Sequence, residues 1–244
     1  MTNHGVTEKK FKRLFFDIET SPNIVFSWNV GRKINIDYDN IITERAIICI
    51  CYKYEGQKHT HSLMWDKGND KPMLSKFAEV MNEADEIIGH NSDNFDIKWV
   101  RTRCLIHKIP LSAYITSIDT LKASRSQFRF NSNRLDYIGH YLGKGRKLHT
   151  GFDLWKKIVI DNDEAAMNKM VDYCKQDVRL LEDIFEDMKP YMKHKTHIAS
   201  HFSRPVVDCP ECMSKNTAIN KTRTTAAGVK RATMQCGDCG KYFT

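Results

Sequence analysis

Residues 13–20, Arg-Leu-Phe-Phe-Asp-Ile-Glu-Thr, join an apolar run to two carboxylates spaced two positions apart. Read as a strand, the segment sends Asp17 and Glu19 to one face and Phe16 and Ile18 to the other, because side chains alternate with period two. That pairing constrains the fold severely. Phe16 and Ile18 require a core on one side, while neighbouring carboxylates on the other side repel each other and are expensive to bury. A divalent cation removes both penalties. Two exposed acids on a strand edge are the alternative.

Two later segments favour the cation. Glu86–Asn91 reads as a short buried strand running into His90-Asn91-Ser92-Asp93-Asn94-Phe95-Asp96, with a helix from about Asn94 to Ile109. Asp96 then falls in the first helical turn, at the carboxyl edge of a sheet, where α/β proteins tend to place their sites. Far downstream, Tyr173 and Asp177 are spaced i, i+4 and stack on one face of a long helix. Hard Mg²⁺ or Mn²⁺ ions prefer oxygen ligands and also bind substrate phosphates. Two such ions about 3.5–4 Å apart stabilise both the attacking and the leaving oxygen of an in-line displacement, and four carboxylates suit that arrangement.

The remaining pattern supplies a scaffold. Strands are expected at 13–20, Ala46–Tyr54, His59–Trp65 and Ala113–Asp119, and helices at Met73–Ala84 and Leu135–Leu142. The clearest element is the long helix ended by Pro190, whose stripe includes Met170, Val171, Cys174, Val178, Leu181, Ile184 and Phe185. Asp161 with Glu164 three residues on resembles a capping box at its start. This order predicts an α/β domain of mixed sheet with helices on both faces.

Charge and cysteine use divide the chain. At 244 residues it exceeds one ordinary domain of about 150 residues. Residues 191–244 hold nine Lys/Arg against three Asp/Glu, leaving 29 against 27 for residues 1–190. The body is almost neutral, whereas a basic appendage suits nucleic acid; a merely solvated surface is the alternative. Cys49, Cys51, Cys104 and Cys174 lie among apolar neighbours and read as buried free thiols. No apolar run reaches the roughly 18 residues of a membrane span, and Leu14-Phe15-Phe16 is too short for a signal-peptide core. The expected address is cytoplasmic, and disulfides are not expected.

Asp17 and Glu19 in Phe-Asp-Ile-Glu-Thr, Asp96 in Asn-x-x-x-Phe-Asp, and Tyr173 with Asp177 in Tyr-x-x-x-Asp resemble the three exonuclease motifs of the DnaQ-like 3′–5′ exonucleases. Their wording is most similar to the proofreading domains of family-B DNA polymerases and small stand-alone relatives, including phage ones. The resemblance covers about residues 11–190. It implies a ribonuclease H-like fold, a site of Asp17, Glu19, Asp96 and Asp177 holding two Mg²⁺ or Mn²⁺ ions, and Tyr173 positioning or deprotonating the attacking water. The histidine variant of the family carries its base five residues before the last Asp, where this chain has Asp172; Tyr173 matches the tyrosine variant. Thr20, His90 and Asn91 flank the motifs, and could contact the terminal nucleotide or simply brace the loops. Asp93, Asp119 and Asp172 are competing acids, with Asp119 the leading second-rank candidate.

Between the second and third motifs, residues 125–134 interleave Arg125, Phe128, Arg129, Phe130 and Arg134. Single strands are held by backbone charge plus base stacking, so this segment is a candidate substrate channel, with inward-packing Phe residues as the alternative. Lys144, Arg146 and Lys147 add a second basic run. The tail carries Cys209-x-x-Cys212, then 23 residues, then Cys236-x-x-Cys239. Paired C-x-x-C knuckles at such spacing signal one structural Zn²⁺, and fewer than about 40 residues need such a staple. The tail resembles a zinc ribbon over 208–244, with Lys221, Arg223, Lys230 and Arg231 in the intervening arm. Residues 191–207 read as a solvated linker, although His194, His197 and His201 could share a helical face and bind metal.

The expected activity is metal-dependent release of nucleotides from the 3′ end of nucleic acid. DNA with single-stranded or frayed ends is preferred on resemblance, and a separate replicative polymerase is the partner if the protein proofreads in trans. A 3′–5′ exoribonuclease, or a zinc-ribbon binding module on an inactive nuclease-like body, are the alternatives.

Overall fold

The computed structural model describes residues 10–31, 33–146 and 151–244. The first strand, β1 (Arg13–Thr20), is the centre of the body. After it the chain makes an excursion containing the short pair β2 (Ile24–Val25) and β3 (Ile41–Thr43), then returns as β4 (Ile47–Tyr54) and β5 (His61–Met64). Helix α1 (Lys71–Glu83) leads to β6 (Glu86–Gly89), α2 (Asp96–His107) and β7 (Thr116–Asp119). The main sheet has the order β5-β4-β1-β6-β7, antiparallel on the β4 side of β1 and parallel on the β6 side. The expected mixed sheet is therefore present.

The alternation of β1 divides the interior in two. Leu14, Phe16 and Ile18 are buried in a core built with Leu74, Phe77 and Met81 of α1 and Ile97, Val100 and Cys104 of α2. On the opposite face lie α3 (Thr120–Gln127), α4 (Leu135–Tyr141), α5 (Asp153–Val159) and the 25-residue α6 (Glu164–Met188). The apolar stripe of α6 packs there against Phe15, Cys49, Cys51 and Ile88. All four cysteines read as thiols of the body are buried.

Several local expectations are corrected. The helix α6 is capped by Asp163, whose carboxylate accepts from the Ala166 amide at 3.0 Å, and Asp161 lies outside it. Asp163 holds extended backbone immediately before the first helical residue, which an N-cap requires. Residues 120–127, unassigned in sequence, form α3, because Asp119 caps that segment through the amides of Leu121 and Lys122. The excursion pair and α5 carry too few periodic apolar residues to declare themselves in sequence.

The solvated-linker reading of 191–207 also gives way. Met192, Ile198 and Ala199 are buried, and a short helix α7 (Ile198–His201) hydrogen-bonds through the Ile198 amide to Pro210 O at 2.9 Å. His197 caps α7, its Nε2 lying 3.1 Å from Val206 O, while His201 faces Asp85 at 3.6 Å. Those histidines are engaged with protein and, among the described residues, form no metal cluster.

The C-terminal unit is a second sheet, β10-β9-β8, made from β8 (Thr217–Thr224), β9 (Lys230–Cys236) and β10 (Tyr242–Phe243). Its attachment to the body is buried and ionic. Arg13 donates to Glu86 at 2.6 Å, to Glu211 at 2.5 Å and to Glu55 at 3.3 Å. Burial opposes its charge, but the three carboxylates outweigh that and raise its pKa. Buried Lys241 donates to the carbonyls of Lys189 and Met192, both at 2.6 Å. Burial lowers the Lys241 pKa despite the pull of Glu211.

Candidate functional site

Three of the predicted acids converge. One carboxylate oxygen from each of Asp17, Glu19 and Asp177 lies within 4.8 Å of the others. Asp17 and Glu19 reach the α6 side of the sheet because Phe16 and Ile18 occupy the opposite core. Cross-strand register pairs Asp17 with Cys51 and Glu19 with Cys49, so both acids look across β4 thiols toward α6. Asp177 is buried on the inward stripe of α6, one turn beyond half-buried Tyr173. The Cys174 thiol donates to Asp17 O at 3.4 Å and lies 3.7 Å from Asp17 Oδ2, which fixes the height of α6 over β1.

Asp96 is adjacent but differently engaged. It begins α2, on the other layer, and its Oδ1 accepts from the Ile18 amide at 3.1 Å. It therefore meets β1 between the two acids, outside the three-carboxylate cluster. The turn that delivers it folds tightly: a Cβ on Gly89 would lie 2.3 Å from Ser92 Cβ, and Asn91 takes a left-handed φ of 67°.

The flanking residues brace this turn. Asp119 accepts from the amides of Asn91 at 2.9 Å and Asp93 at 3.3 Å while also capping α3, so its carboxylate is spent on backbone rather than pointed into the cluster. The ring of His90 is held from both sides, Nδ1 at 2.9 Å from Thr120 Oγ1 and Nε2 at 3.0 Å from Asn133 O. Asp93 engages Lys122 at 2.8 Å and Ser117; burial works against its charge, yet Lys122 and Ser117 hold its pKa below the usual value. Thr20 is buried and accepts from Arg45 Nη2 at 3.0 Å. Asp172, beside Tyr173, is exposed on the outer side of α6.

The basic and aromatic segment separates by residue type. Arg125, Arg129 and Arg134 are exposed, whereas Phe128 and Phe130 are half-buried and stack on each other at 5.6 Å. Phe128 also meets Tyr191 edge-on. The inward-packing alternative thus describes these two rings, and the exposed surface is cationic. Lys144 pairs with Asp187 at 3.0 Å, Arg146 is exposed, and Lys147 lies outside the described residues.

Sequence reading missed the excursion. It leaves β1 directly after Thr20, at the acid-bearing end of the strand, and exposes Phe26, Trp28 and Tyr38. A hint was available in the aromatic residues of 24–43, which sit outside any amphipathic period.

The four tail cysteines gather as expected, all their sulfurs within 4.8 Å of one another. Cys209 and Cys239 are 3.6 Å apart, as are Cys212 and Cys236. A tetrahedral Zn²⁺ with Zn–S bonds of about 2.3 Å needs sulfurs about 3.8 Å apart, so the set fits such an ion. Lys221, Arg223, Lys230 and Arg231 are all exposed on the β8–β9 hairpin. No helix among the described residues is long and apolar enough to cross a membrane.

A family model for the RNase_H superfamily matches residues 14–189, which includes every acid of the site. Among solved structures, the chain is similar to the family B DNA polymerase from the hyperthermophilic archaeon Pyrobaculum calidifontis, at 18% identity and a TM-score of 0.53. That match covers 75% of this chain and 25% of the polymerase, and at this identity it establishes fold. No curated protein matches the sequence.

Proposed function

This chain belongs to the RNase_H superfamily, and from that premise we propose that it is a metal-dependent 3′–5′ exonuclease acting on DNA. The observation that carries the reading is the convergence of Asp17, Glu19 and Asp177 within 4.8 Å. Three carboxylates at that separation repel one another strongly unless cations lie among them, and an all-oxygen set suits Mg²⁺ or Mn²⁺.

Asp17, Glu19, Asp177 and Asp96 are the residues that would hold two such ions. When bound, the ions neutralise charge on the attacking and leaving oxygens of the phosphodiester. The chain supplies the rest. Tyr173 carries its hydroxyl one helical turn from Asp177, placed to orient the attacking water through a hydrogen bond at the phenolic oxygen. Asp119, His90 and Asn91 keep the turn before Asp96 rigid, so that the acid is delivered to β1 in one geometry. Exposed Arg125, Arg129 and Arg134 neutralise phosphates of the incoming strand, with Phe128 bracing the connection from α3 to α4. The C-terminal cysteines Cys209, Cys212, Cys236 and Cys239 would hold one Zn²⁺, a structural staple for the ribbon whose hairpin carries the exposed cations. A polymerase in a separate chain is the partner that would make this activity proofreading.

The test is digestion of end-labelled single-stranded DNA and RNA of matched sequence with Mg²⁺ or Mn²⁺. A ladder shortening from the 3′ end of DNA is expected. Shortening of RNA alone would move the assignment to an exoribonuclease, and no cleavage of either would leave a binding module on an inactive body.

A further inference from the structure

The outer part of the β8–β9 hairpin is exposed among the described residues. Ala218 through Thr224 are exposed without interruption, as are Lys230 and Arg231 on the returning strand. From Met213 to Gly237 the chain carries five Lys/Arg, no Asp or Glu, and no Phe, Tyr or Trp.

The register arranges that charge. Arg223 is paired with Arg231, and Lys221 with Thr233. Directly paired residues share a face, as do residues two apart, so Lys221, Arg223 and Arg231 project together while Lys230 projects opposite. Like charges directly across a strand pair destabilise it. A polyanion laid along that face offsets the repulsion.

We propose that the β8–β9 arm grips double-stranded nucleic acid, its Lys221, Arg223 and Arg231 face lying along a groove behind the reacting 3′ end; the identity of that end rests on the exonuclease reading. Two features favour a duplex over a single strand. A two-stranded β-ribbon matches the roughly 12 Å width of the major groove of B-form DNA. Single strands are held by charge combined with aromatic stacking, and the arm offers no aromatic ring. Placement agrees. The ribbon is docked on Arg13, four residues before Asp17 in β1, about 14 Å along an extended strand. The buried Arg13–Glu86–Glu211 contacts hold it against the end of β1 remote from the acids, so the arm engages nucleic acid away from the bond that is cut.

The measurement is fluorescence anisotropy of the full chain with labelled 20-mer DNA, duplex or single-stranded, whose 3′ linkages are phosphorothioates. Binding is thereby read apart from cleavage, and failure of the nuclease assignment appears only with ordinary DNA. K221Q/R223Q/R231Q should weaken duplex binding at least tenfold at 0.1 M salt, with a far smaller change on the single strand. Its log–log salt slope on duplex should become shallower by about 2.7, at roughly 0.9 per phosphate contact. R223K/R231K, which keeps the charge, should retain duplex binding, and zinc content should match the parent protein in both variants. Equal losses on duplex and single strand would overturn the duplex assignment. Unchanged binding of both would remove nucleic acid from the arm and leave its basic face to an acidic protein.

Discussion

The Asp96 carboxylate accepts a hydrogen bond from the Ile18 amide at 3.1 Å, joining the first turn of α2 to the one residue of β1 that lies between Asp17 and Glu19. The helix on one face of the sheet is thereby tied to acids that look toward the other face. Asp96 serves the backbone here, and under the exonuclease reading the same carboxylate would also be a metal ligand.

Those two roles separate on substitution. D96N keeps a carbonyl acceptor for Ile18 and should melt close to the parent protein, while D96A gives up the bond and should lose about 1–3 kcal/mol. Both should lose exonuclease activity by more than hundredfold if Asp96 binds metal. A loss of only about 10–100-fold in D96N, the range for groups that support a ligand from behind, would make Asp96 a brace for β1. Thermal melts and single-turnover rates on the same preparations decide between them.

Metal binding should be visible without catalysis. A Mn²⁺ ion bound among Asp17, Glu19 and Asp177 would relieve their repulsion, so Mn²⁺ should raise the melting temperature of the parent protein in a concentration-dependent way. D177N should abolish both that shift and turnover. A persistent Mn²⁺ shift in D177N would place the cation elsewhere.

For Tyr173, replacement by Phe removes one hydroxyl from a half-buried ring and leaves its packing. If that oxygen orients or deprotonates the attacking water, the rate constant should fall by roughly 10²–10⁴-fold with little change in stability. Rates indistinguishable from the parent at neutral pH would restrict the ring to packing.

The tail carries a different expectation from the one its sequence suggested. Separate cores imply that losing the ribbon spares the body, but Arg13, Glu86 and Lys241 are buried at the junction. C209S/C212S should lower zinc from one per chain to none and also destabilise the body, since it loosens Glu211 from Arg13. R13L, which strands buried Glu86, should cost about 3–5 kcal/mol. Chemical denaturation of each variant with metal analysis checks both; a body transition unmoved by zinc loss would make the junction energetically silent.

Acid should act through Asp70. It is fully buried and accepts from Arg103 at 2.7 and 2.8 Å and from the Ile47 amide at 3.1 Å, with His107 Nε2 at 2.7 Å. Burial works against its charge, yet Arg103, Ile47 and His107 hold its pKa below the ordinary 3.8. A depressed folded value means that Asp70 contributes stability above its unfolded pKa, lost as pH falls through the folded one. Unfolding free energy should therefore drop with acid below about pH 4, and D70N should be destabilised at neutral pH while showing a flatter profile. An unchanged acid slope in D70N would assign the sensitivity to other carboxylates.

What could be read in the sequence was what short-range geometry dictates. Period-two alternation set Asp17 and Glu19 against Phe16 and Ile18; i, i+4 spacing stacked Tyr173 on Asp177; and paired knuckles gathered four thiols. Each depends on residues within one element or on ligand valence, and each recurs in the structure. The mixed sheet followed from the order of those elements. Tertiary structure decided the rest, because it depends on partners distant along the chain. Only the packed sheet shows Asp119 capping α3 and bracing Asn91 instead of approaching the acids, or Phe128 turned onto Phe130. Asp163 rather than Asp161 caps α6 because backbone geometry at one position selects the cap, which two similar acids two residues apart do not reveal. The largest difference lies at residue 13. A strand-leading arginine looks like a solvated end in sequence, but Glu86 and Glu211 reach it from 73 and 198 residues away and turn a tethered ribbon into a docked one.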